Sequence, residues 1–172
     1  MGEKTAQNRF IGIISDTHDN ISMIDAAVKR LNEFEVKLVL HAGDYISPFT
    51  VQHFKPLKAK LVGVYGNNCA ERAMLKMLFS EIGADLRGFF AEVEDGDLKI
   101  ALLHGHDEEL LRSLTESGAY DLVVYGHTHR ADVMRRKKTL LVNPGEVCGY
   151  LSGKSTMAIF NPKSRDIEIV TL

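Results

Sequence analysis

The chain has 172 residues and a net charge of −2, with 45% hydrophobic and 26% charged residues. This composition excludes a disordered or fibrous protein, and the length suffices for one domain with a continuous hydrophobic core. The near-zero charge argues against extended binding to nucleic acid or to an anionic membrane. No apolar run is long enough to span a membrane, and two cysteines are too few for a disulfide framework. We therefore expect a cytoplasmic protein with free thiols.

Predicted strands and helices alternate in the first half of the chain. Residues 1–9 are polar and lack periodicity, so we interpret them as a tail and place the domain over residues 10–172. Strands are predicted over residues 10–15, 37–40 and 61–65, and helices begin at residues 21, 47 and 71. We interpret Met74 and Met77 of the last helix as core residues. This order predicts a parallel sheet with right-handed crossovers.

Strands dominate the second half of the chain. An Asp95-Gly96 turn joins two predicted strands, and one further helix is expected near residues 108–116. The predicted strands cover residues 89–94, 98–103, 122–125, 131–136, 139–142, 156–161 and 166–172. The sequence therefore predicts one mixed α/β domain with two packed sheets.

Short polar motifs stand where five of the predicted strands end. In chain order they are Asp16-x-His18, Gly43-Asp44, Gly66-Asn67, His104-Gly-His106 and Gly126-His127-x-His129. The carboxyl ends of strands form the ligand crevice of open α/β sheets, so we expect these loops to converge in space. Glycine lets a loop turn sharply and brings the neighbouring side chain close to a shared centre.

The motifs offer imidazole, carboxylate and amide oxygen, without thiolate. This donor set suits a borderline or hard divalent cation, namely Mn, Fe, Zn, Ni or Mg. The number of candidate ligands exceeds what one tetrahedral site needs and fits two cations about 3.5–4 Å apart that share a carboxylate. A water bound in such a field has a pKa of about 7, which provides a hydroxide nucleophile at neutral pH.

Several weaker features have ordinary structural explanations. Gly149–Ser155 is similar to a phosphate-binding loop, but the spacing of its glycines is one residue too short and a strand follows it. We interpret the basic run Arg135–Lys138 as a solvated hairpin and Cys69 as a small buried or loop thiol. His41 and His53 are interpreted as structural histidines. Each motif of the set above is also common by itself, and the order of all five is what points to function.

Together the five motifs resemble the calcineurin-like metallophosphoesterases, whose pattern is Asp-x-His, Gly-Asp, Gly-Asn, His and Gly-His-x-His. The resemblance covers residues 10–172. The short length and the Asn143-Pro144-Gly145 loop make the chain most similar to the small bacterial and archaeal phosphodiesterases of that superfamily, the YfcE type. The resemblance implies a four-layer αββα sandwich of two mixed β-sheets flanked by helices.

The resemblance also implies a role for each motif residue. The metal ligands would be Asp16, His18 and His129 for a first ion, Asn67, His104 and His127 for a second, and Asp44 as the bridge. The catalytic residues would be Asn67, His104 and His106. Of these, Asn67 and His104 would hold the second ion, whereas His106 would donate to a phosphoryl oxygen. Asn143 would orient the ligands, and Asn20 would contact phosphate.

The implied function is a binuclear metal-dependent phosphodiesterase in which a metal-bridging hydroxide attacks phosphorus in line. The expected cofactors are two divalent metal ions, with Mn as the first choice and Ni, Fe, Zn or Mg as alternatives, and the expected partner is a small phosphodiester substrate. The alternative is a non-catalytic metal-binding scaffold, because the same family includes a subunit of the retromer coat. The oligomeric state stays open, although the β-rich C-terminal half offers strand edges for a homo-oligomer.

The third motif departs from the family pattern. Many members have His and then an acidic residue after Gly-Asn, and that His is thought to protonate the leaving oxygen. Here the block is Gly66-Asn67-Asn68-Cys69. Asparagine cannot release a proton, and a thiol with a pKa of about 8.5 is poorly suited to donate one at neutrality. We therefore expect a slow enzyme that prefers activated aryl diesters, with His106 as a partial substitute.

Overall fold

A computed structural model describes residues 10–172, so the predicted tail over residues 1–9 lies outside the described residues. The strands are β1 (Ile11–Ile14), β2 (Leu38–His41), β3 (Lys60–Val64), β4 (Asp85–Arg87), β5 (Phe90–Asp95), β6 (Leu98–Leu103), β7 (Leu122–Val124), β8 (Ala131–Arg136), β9 (Thr139–Pro144), β10 (Thr156–Asn161) and β11 (Asp166–Thr171). The α-helices are α1 (Ile21–Glu33), α2 (Arg72–Glu81) and α3 (Glu108–Ser117), and a 3₁₀ helix covers Pro48–Phe54.

The strands form two mixed sheets. The first has the order β11-β10-β1-β2-β3-β4, in which β1 to β4 are parallel and β10 and β11 join antiparallel. The second has the order β5-β6-β7-β9-β8, with β6, β7 and β9 parallel between two antiparallel edge strands. The parallel strands of each sheet therefore end on the same edge, which is where the polar motifs lie.

Side chains alternate along each strand between the inner and the outer face of the sheet, and this alternation explains the layers. Ile11 and Ile13 of β1 point into the core between the two sheets, whereas Ile14 points to the outer face under α1. Leu31 of α1 packs over Gly12, where any β-carbon would collide with the leucine side chain. On the other side, α3 covers the second sheet. The predicted four-layer αββα sandwich in a single domain is confirmed.

One local prediction is wrong, and one strand was not predicted. Met74 and Met77 are 47% and 52% exposed, because α2 buries the stripe formed by Leu75 and Phe79 instead. Strand β4 was not predicted, since only one of its three side chains is buried and it lacks an apolar run. The hairpin around the basic run is confirmed: Arg136 and Thr139 are paired across a turn made by Lys137 and Lys138.

His41, at the end of β2, is a fully buried structural histidine. The backbone N–H of Gly43 donates to its Nδ1 at 3.1 Å, and its ring lies 4.0 Å from the Tyr45 ring, measured between centroids. Burial lowers the pKa of His41 from an ordinary 6.5 to about 3, and this outweighs the attraction of nearby carboxylates. The folded protein therefore holds the neutral imidazole, and protonation would set a donor against the Gly43 N–H.

This burial predicts acid sensitivity of the fold. Because the folded pKa lies below the unfolded one, the stabilising contribution is present above pH 6.5 and is lost as pH falls toward 3. The free energy of unfolding should fall by about 2 kcal/mol between pH 7.5 and pH 5, at about 1.4 kcal/mol per pH unit in the steep region. Urea unfolding of the metal-free protein measures it. His41→Asn keeps an acceptor for Gly43 and should lack this part of the pH slope; an unchanged slope would contradict the assignment.

Candidate metal centre

The polar loops meet at one end of the sandwich, where strands of both sheets end. Asp16 and Asp44 follow β1 and β2, whereas His104 and His127 follow β6 and β7. Polar contacts join the two sheets here. His104 Nε2 lies 3.3 Å from Asp44 Oδ2, and the backbone N–H of His127 donates to Asp16 Oδ2 at 3.1 Å. The loops therefore converge, as the positions of the strand ends predict.

Asp16, His18 and His129 form the first cluster. The Nε2 atoms of His18 and His129 lie 3.5 and 3.4 Å from Asp16 Oδ1. One potential ligand atom from each of the three side chains lies within 4.8 Å of the other two. Asp16 Oδ2 accepts a hydrogen bond from the Ser15 hydroxyl at 2.6 Å, which leaves Oδ1 as the oxygen turned to the cluster.

Asp44 lies between this cluster and the next. Its Oδ2 is 3.5 Å from His18 Nε2 and 3.3 Å from His104 Nε2. Asn68 donates its backbone N–H to Oδ1 at 2.9 Å and its amide N–H to Oδ2 at 2.8 Å. Burial raises the pKa of the Asp44 carboxyl, but the His104 ring and the Asn68 donors outweigh it and hold the pKa well below its usual range. Asp44 is therefore an ionised carboxylate that lies between His18 and His104.

His104, His106 and His127 form the second cluster. The ring centroid of His104 lies 5.2 Å from that of His127 and 5.6 Å from that of His106. His104 Nδ1 donates to the Ala42 carbonyl oxygen at 2.8 Å, which makes Nε2 the ring nitrogen that faces the site. His106, His127 and Asn67 are exposed, and Asn67 belongs to the loop that follows β3.

Unpaired atoms at the centre test whether metal ions fit. Among residues 10–172, three buried side-chain atoms have no hydrogen-bond partner, and they are Asp16 Oδ1, His18 Nε2 and His104 Nε2. All three belong to the clusters above. Leaving a buried polar group unpaired costs about 1–3 kcal/mol, and a cation ligated by these atoms would remove that cost. Carboxylate and imidazole are also the donors that suit the expected metals, so the residues present fit divalent ions.

The backbone of the centre is held in unusual conformations. Five of the expected ligands have a positive φ, between 38° and 68°: Asp16, His18, Asp44, His127 and His129. Each such residue costs on the order of 1–3 kcal/mol, which persists only where the surrounding structure imposes it. Such residues cluster at functional sites, so the backbone marks this edge independently of the side chains.

Two motif glycines are required because neighbouring side chains lie very close to their α-carbons. A β-carbon at Gly66 would collide with the Asp44 carboxylate, and one at Gly126 would collide with the Ser15 hydroxyl and lie 2.6 Å from Asp16 Oδ2. These glycines therefore leave room for the two carboxylates of the site.

Glu146 is a buried residue of the site that the sequence reasoning missed. Its Oε2 accepts from His129 Nδ1 at 2.6 Å and from the Cys148 thiol at 3.0 Å, while its Oε1 accepts from the Ser152 hydroxyl at 2.7 Å. Burial raises the pKa of Glu146, but these donors outweigh it and lower the pKa to about 2. The carboxylate fixes the His129 ring with Nε2 toward Asp16.

Glu146→Gln should weaken metal binding by about 10–100-fold, the usual cost of removing the group that orients a ligating histidine. An amide has a single acceptor oxygen, so at least one of the donors at His129 and Ser152 loses its partner. Calorimetric titration of the chelator-treated protein with Mn²⁺ measures the effect. Asp132→Asn, which removes a carboxylate bonded to the Tyr125 hydroxyl, is the control. Equal affinity in both variants would show that Glu146 does not position the ligand.

Two other residues near the site, Asn143 and Asn20, make structural hydrogen bonds. The Asn143 amide donates to the Gly126 carbonyl oxygen at 2.8 Å and to the Thr128 hydroxyl at 3.0 Å. It therefore holds the loop that carries His127 and His129, and these two bonds do not involve an imidazole. Asn20 caps α1 and donates to the Cys148 carbonyl oxygen at 2.8 Å. One amide N–H of Asn20 is therefore used in a structural bond, and its phosphate contact stays a prediction.

The weaker candidates have structural roles, as expected. Cys69 is buried, and its Sγ accepts from the Gly66 N–H at 3.3 Å. Cys148 is also a free, buried thiol. His53 Nδ1 pairs with Asp25 at 2.8 Å on the surface. None of the helices within residues 10–172 has the length and apolar character that crossing a membrane requires.

A sandwich of two mixed sheets with carboxylates and histidines gathered at the strand ends defines a metallophosphoesterase-like domain. The model of the calcineurin-like phosphoesterase superfamily domain matches residues 10–165. A phosphodiesterase of Methanocaldococcus jannaschii is 39% identical over 163 residues, which are 94% of this chain and 98% of that protein. The chain belongs to the calcineurin-like phosphoesterase superfamily.

Solved structures agree with this assignment. An archaeal phosphodiesterase characterised structurally and functionally superposes with a TM-score of 0.91 at 38% identity, covering 95% of this chain and 99% of that one. The E. coli phosphoesterase YfcE has a TM-score of 0.71 at 18% identity, covering 94% and 98%. Vps29 of Entamoeba histolytica, solved in complex with Zn²⁺, has a TM-score of 0.63 at 18% identity, covering 95% and 98%. The last two share the fold.

Proposed function

We propose that this protein is a binuclear metal-dependent phosphodiesterase. The observation that carries the proposal is the position of Asp44, whose Oδ2 lies within 3.5 Å of both His18 Nε2 and His104 Nε2. A carboxylate placed between two sets of nitrogen donors is the arrangement that holds two cations side by side. The archaeal relative named as a phosphodiesterase supports the reaction class.

Each ligand set is assigned to one ion. Asp16, His18 and His129 would hold the first. Asn67, His104 and His127 would hold the second, and Asp44 would be shared by both. Mn is the first choice, with Ni, Fe, Zn or Mg as alternatives. When bound, the ions neutralise charge on the phosphoryl oxygens and lower the pKa of the attacking water.

The chain's own residues orient this centre and the substrate. The Ala42 carbonyl oxygen and the Glu146 carboxylate accept the Nδ1 hydrogens of His104 and His129, which keeps both Nε2 lone pairs directed inward. His106 is exposed beside His104 and donates to a non-bridging oxygen of a small phosphodiester, a bond that strengthens as negative charge develops there.

The second candidate is a non-catalytic metal-binding scaffold. The fold shared with Vps29, a vacuolar protein sorting component that was solved with Zn²⁺ bound, favours it. Metal binding alone therefore does not separate the candidates, because both bind metal. Turnover does.

The deciding experiment combines metal analysis with hydrolysis of bis(p-nitrophenyl) phosphate. Chelator-treated protein is reconstituted with Mn, Ni, Fe, Zn or Mg, and bound metal and nitrophenolate release are measured on the same sample. We expect two ions per chain and turnover that disappears with chelator and returns with metal. Two bound ions without turnover for every metal would identify the scaffold.

A further inference from the structure

A pocket of about 280 Å³ adjoins the second cluster, and the role proposed above uses only its residues His104 and His106. Its apolar side is formed by Phe89, Leu103 and Leu110, and its polar side by His104, His106 and Asp107. Since His104 is an assigned metal ligand, a group bound in this pocket lies directly beside the phosphoryl position. The volume is slightly below the range of about 300–1,000 Å³ that is usual for ligand pockets, so it suits one ring system better than a large substituent.

Phe89 is the residue that gives the pocket its character. It is 43% exposed, although three neighbours fix its ring. The Arg72 guanidinium carbon lies 4.7 Å from the ring centroid, and the ring centroids of Tyr65 and His106 lie at 5.8 and 6.0 Å. The Tyr65 hydroxyl in turn donates to the Arg72 carbonyl oxygen at 2.9 Å. A rigid, exposed aromatic ring beside a catalytic centre is a preformed stacking surface.

The electrostatics of the Phe89 ring and the Arg72 guanidinium favour a planar aromatic ligand. A cation on one side of a phenylalanine ring is held by the negative charge of the ring face. Arg72 therefore orients Phe89, while the exposed part of the ring stays available to a second π-system. Aliphatic substituents gain less from such a surface, because they lack the ring quadrupole.

We propose that this pocket binds the aromatic group of the phosphodiester, a nucleobase or an aryl ring, stacked on Phe89. The inference rests on the proposed function for the position of the phosphoryl group. It adds the substrate class: a phosphate ester that carries a planar aromatic ring. Phe89 is then a specificity-determining residue, and Arg72 is its positioning residue.

The chain contains no tryptophan, so Phe89→Trp introduces a single reporter into the pocket. Zinc-loaded protein is titrated with adenosine monophosphate, phenyl phosphate and ribose 5-phosphate, all of which carry a phosphomonoester. Phe90→Trp is the matched control. Phe90 follows Phe89 in sequence but packs near Tyr120, with ring centroids 6.4 Å apart. We expect saturable quenching at position 89 by the two aromatic ligands, with affinity about tenfold above that for ribose 5-phosphate. The fluorescence of the Phe90→Trp variant should stay unchanged on addition of any of the three ligands.

The two aromatic ligands distinguish the source of the ring. Tighter binding of adenosine monophosphate assigns the pocket to a nucleoside, and tighter binding of phenyl phosphate assigns it to a simple aryl group. Equal quenching by all three ligands, or none at position 89, would overturn the proposal, since phosphate alone would then account for binding.

A second variant separates this inference from the proposed function. Phe89→Leu should raise the inhibition constant of adenosine monophosphate against bis(p-nitrophenyl) phosphate hydrolysis about tenfold and leave that of inorganic phosphate unchanged. Equal changes for both inhibitors would contradict the stacking role while turnover persists. Absence of all turnover in the wild-type protein would contradict the proposed function instead, and the fluorescence titration would still decide the pocket.

Discussion

Replacing Asp44 with asparagine should remove one of the two metal ions and lower turnover by about a thousandfold. Asparagine keeps the shape and tolerates the positive φ at this position, but it lacks the charge that holds two cations together. One ion contributes several kcal/mol of charge stabilisation, and each 1.36 kcal/mol corresponds to about a tenfold change in rate. Metal content and bis(p-nitrophenyl) phosphate hydrolysis, measured on the same preparation, give both numbers.

Asp95→Asn is the matched control for this variant. Asp95 is a partly buried carboxylate that pairs with Lys37 at 2.5 Å and belongs to neither metal cluster. It should retain two ions and full turnover. The metal-free Asp44→Asn protein should unfold at a lower urea concentration than wild type, because the folded state stabilises the ionised carboxylate and an amide oxygen cannot accept both bonds from Asn68. Two bound ions with undiminished activity in Asp44→Asn would refute the bridging role.

Asn68→His should shift the enzyme toward unactivated esters. Asn68 directs its backbone and side-chain donors to Asp44 and has no proton to release, so an alkoxide leaving group receives no acid from this loop. A histidine there can act as general acid, and its effect should lie near the lower end of the usual range, about 10²-fold. A nitrophenolate leaves without a proton, so the ratio of aryl to alkyl diester turnover should fall by that factor.

Cys69 stays unchanged in this test, because it is buried in the core and a carboxylate there would carry an unpaired charge. Asn68→Ala is the control, since it also loses the side-chain bond to Asp44 but gains no acid. Parallel changes of both substrates in Asn68→His, relative to Asn68→Ala, would mean that another residue already supplies the proton. His106 is the nearest candidate for that role.

The architecture was predictable because most strands are apolar runs that can be recognised in the sequence. Apolar runs such as residues 10–15 and 61–65 are buried on both faces and carry a strong signal. The hairpin of β5 and β6 was likewise predictable, although its turn residues are Gly96 and Asp97, one position after the predicted Asp95-Gly96. Strand β4 carries no such signal, and it forms because α2 returns the chain beside β3. The α2 methionines were misplaced because leucine, phenylalanine and methionine populate several stripes of that helix, and tertiary packing decides between them.

The convergence of the motifs was predictable from the rule that parallel strands end on one edge. The side chains of Asp16, Asp44 and His104 lie within a few ångströms of one another, although these residues are far apart in sequence. Glu146 was not predictable, because it acts through a folded contact with His129 and its own sequence context carries no ligand motif. The stacked arrangement of Arg72 and Phe89 depends in the same way on a contact between α2 and the start of β5.

Anomalous diffraction from manganese-soaked crystals tests the two-metal centre most directly. We predict two peaks about 3.5–4 Å apart on either side of the Asp44 carboxylate. One peak should be ligated by Asp16, His18 and His129, and the other by Asn67, His104 and His127. A single peak, or a peak held instead by the neighbouring trio of His129, Glu146 and Cys148, would contradict the binuclear assignment.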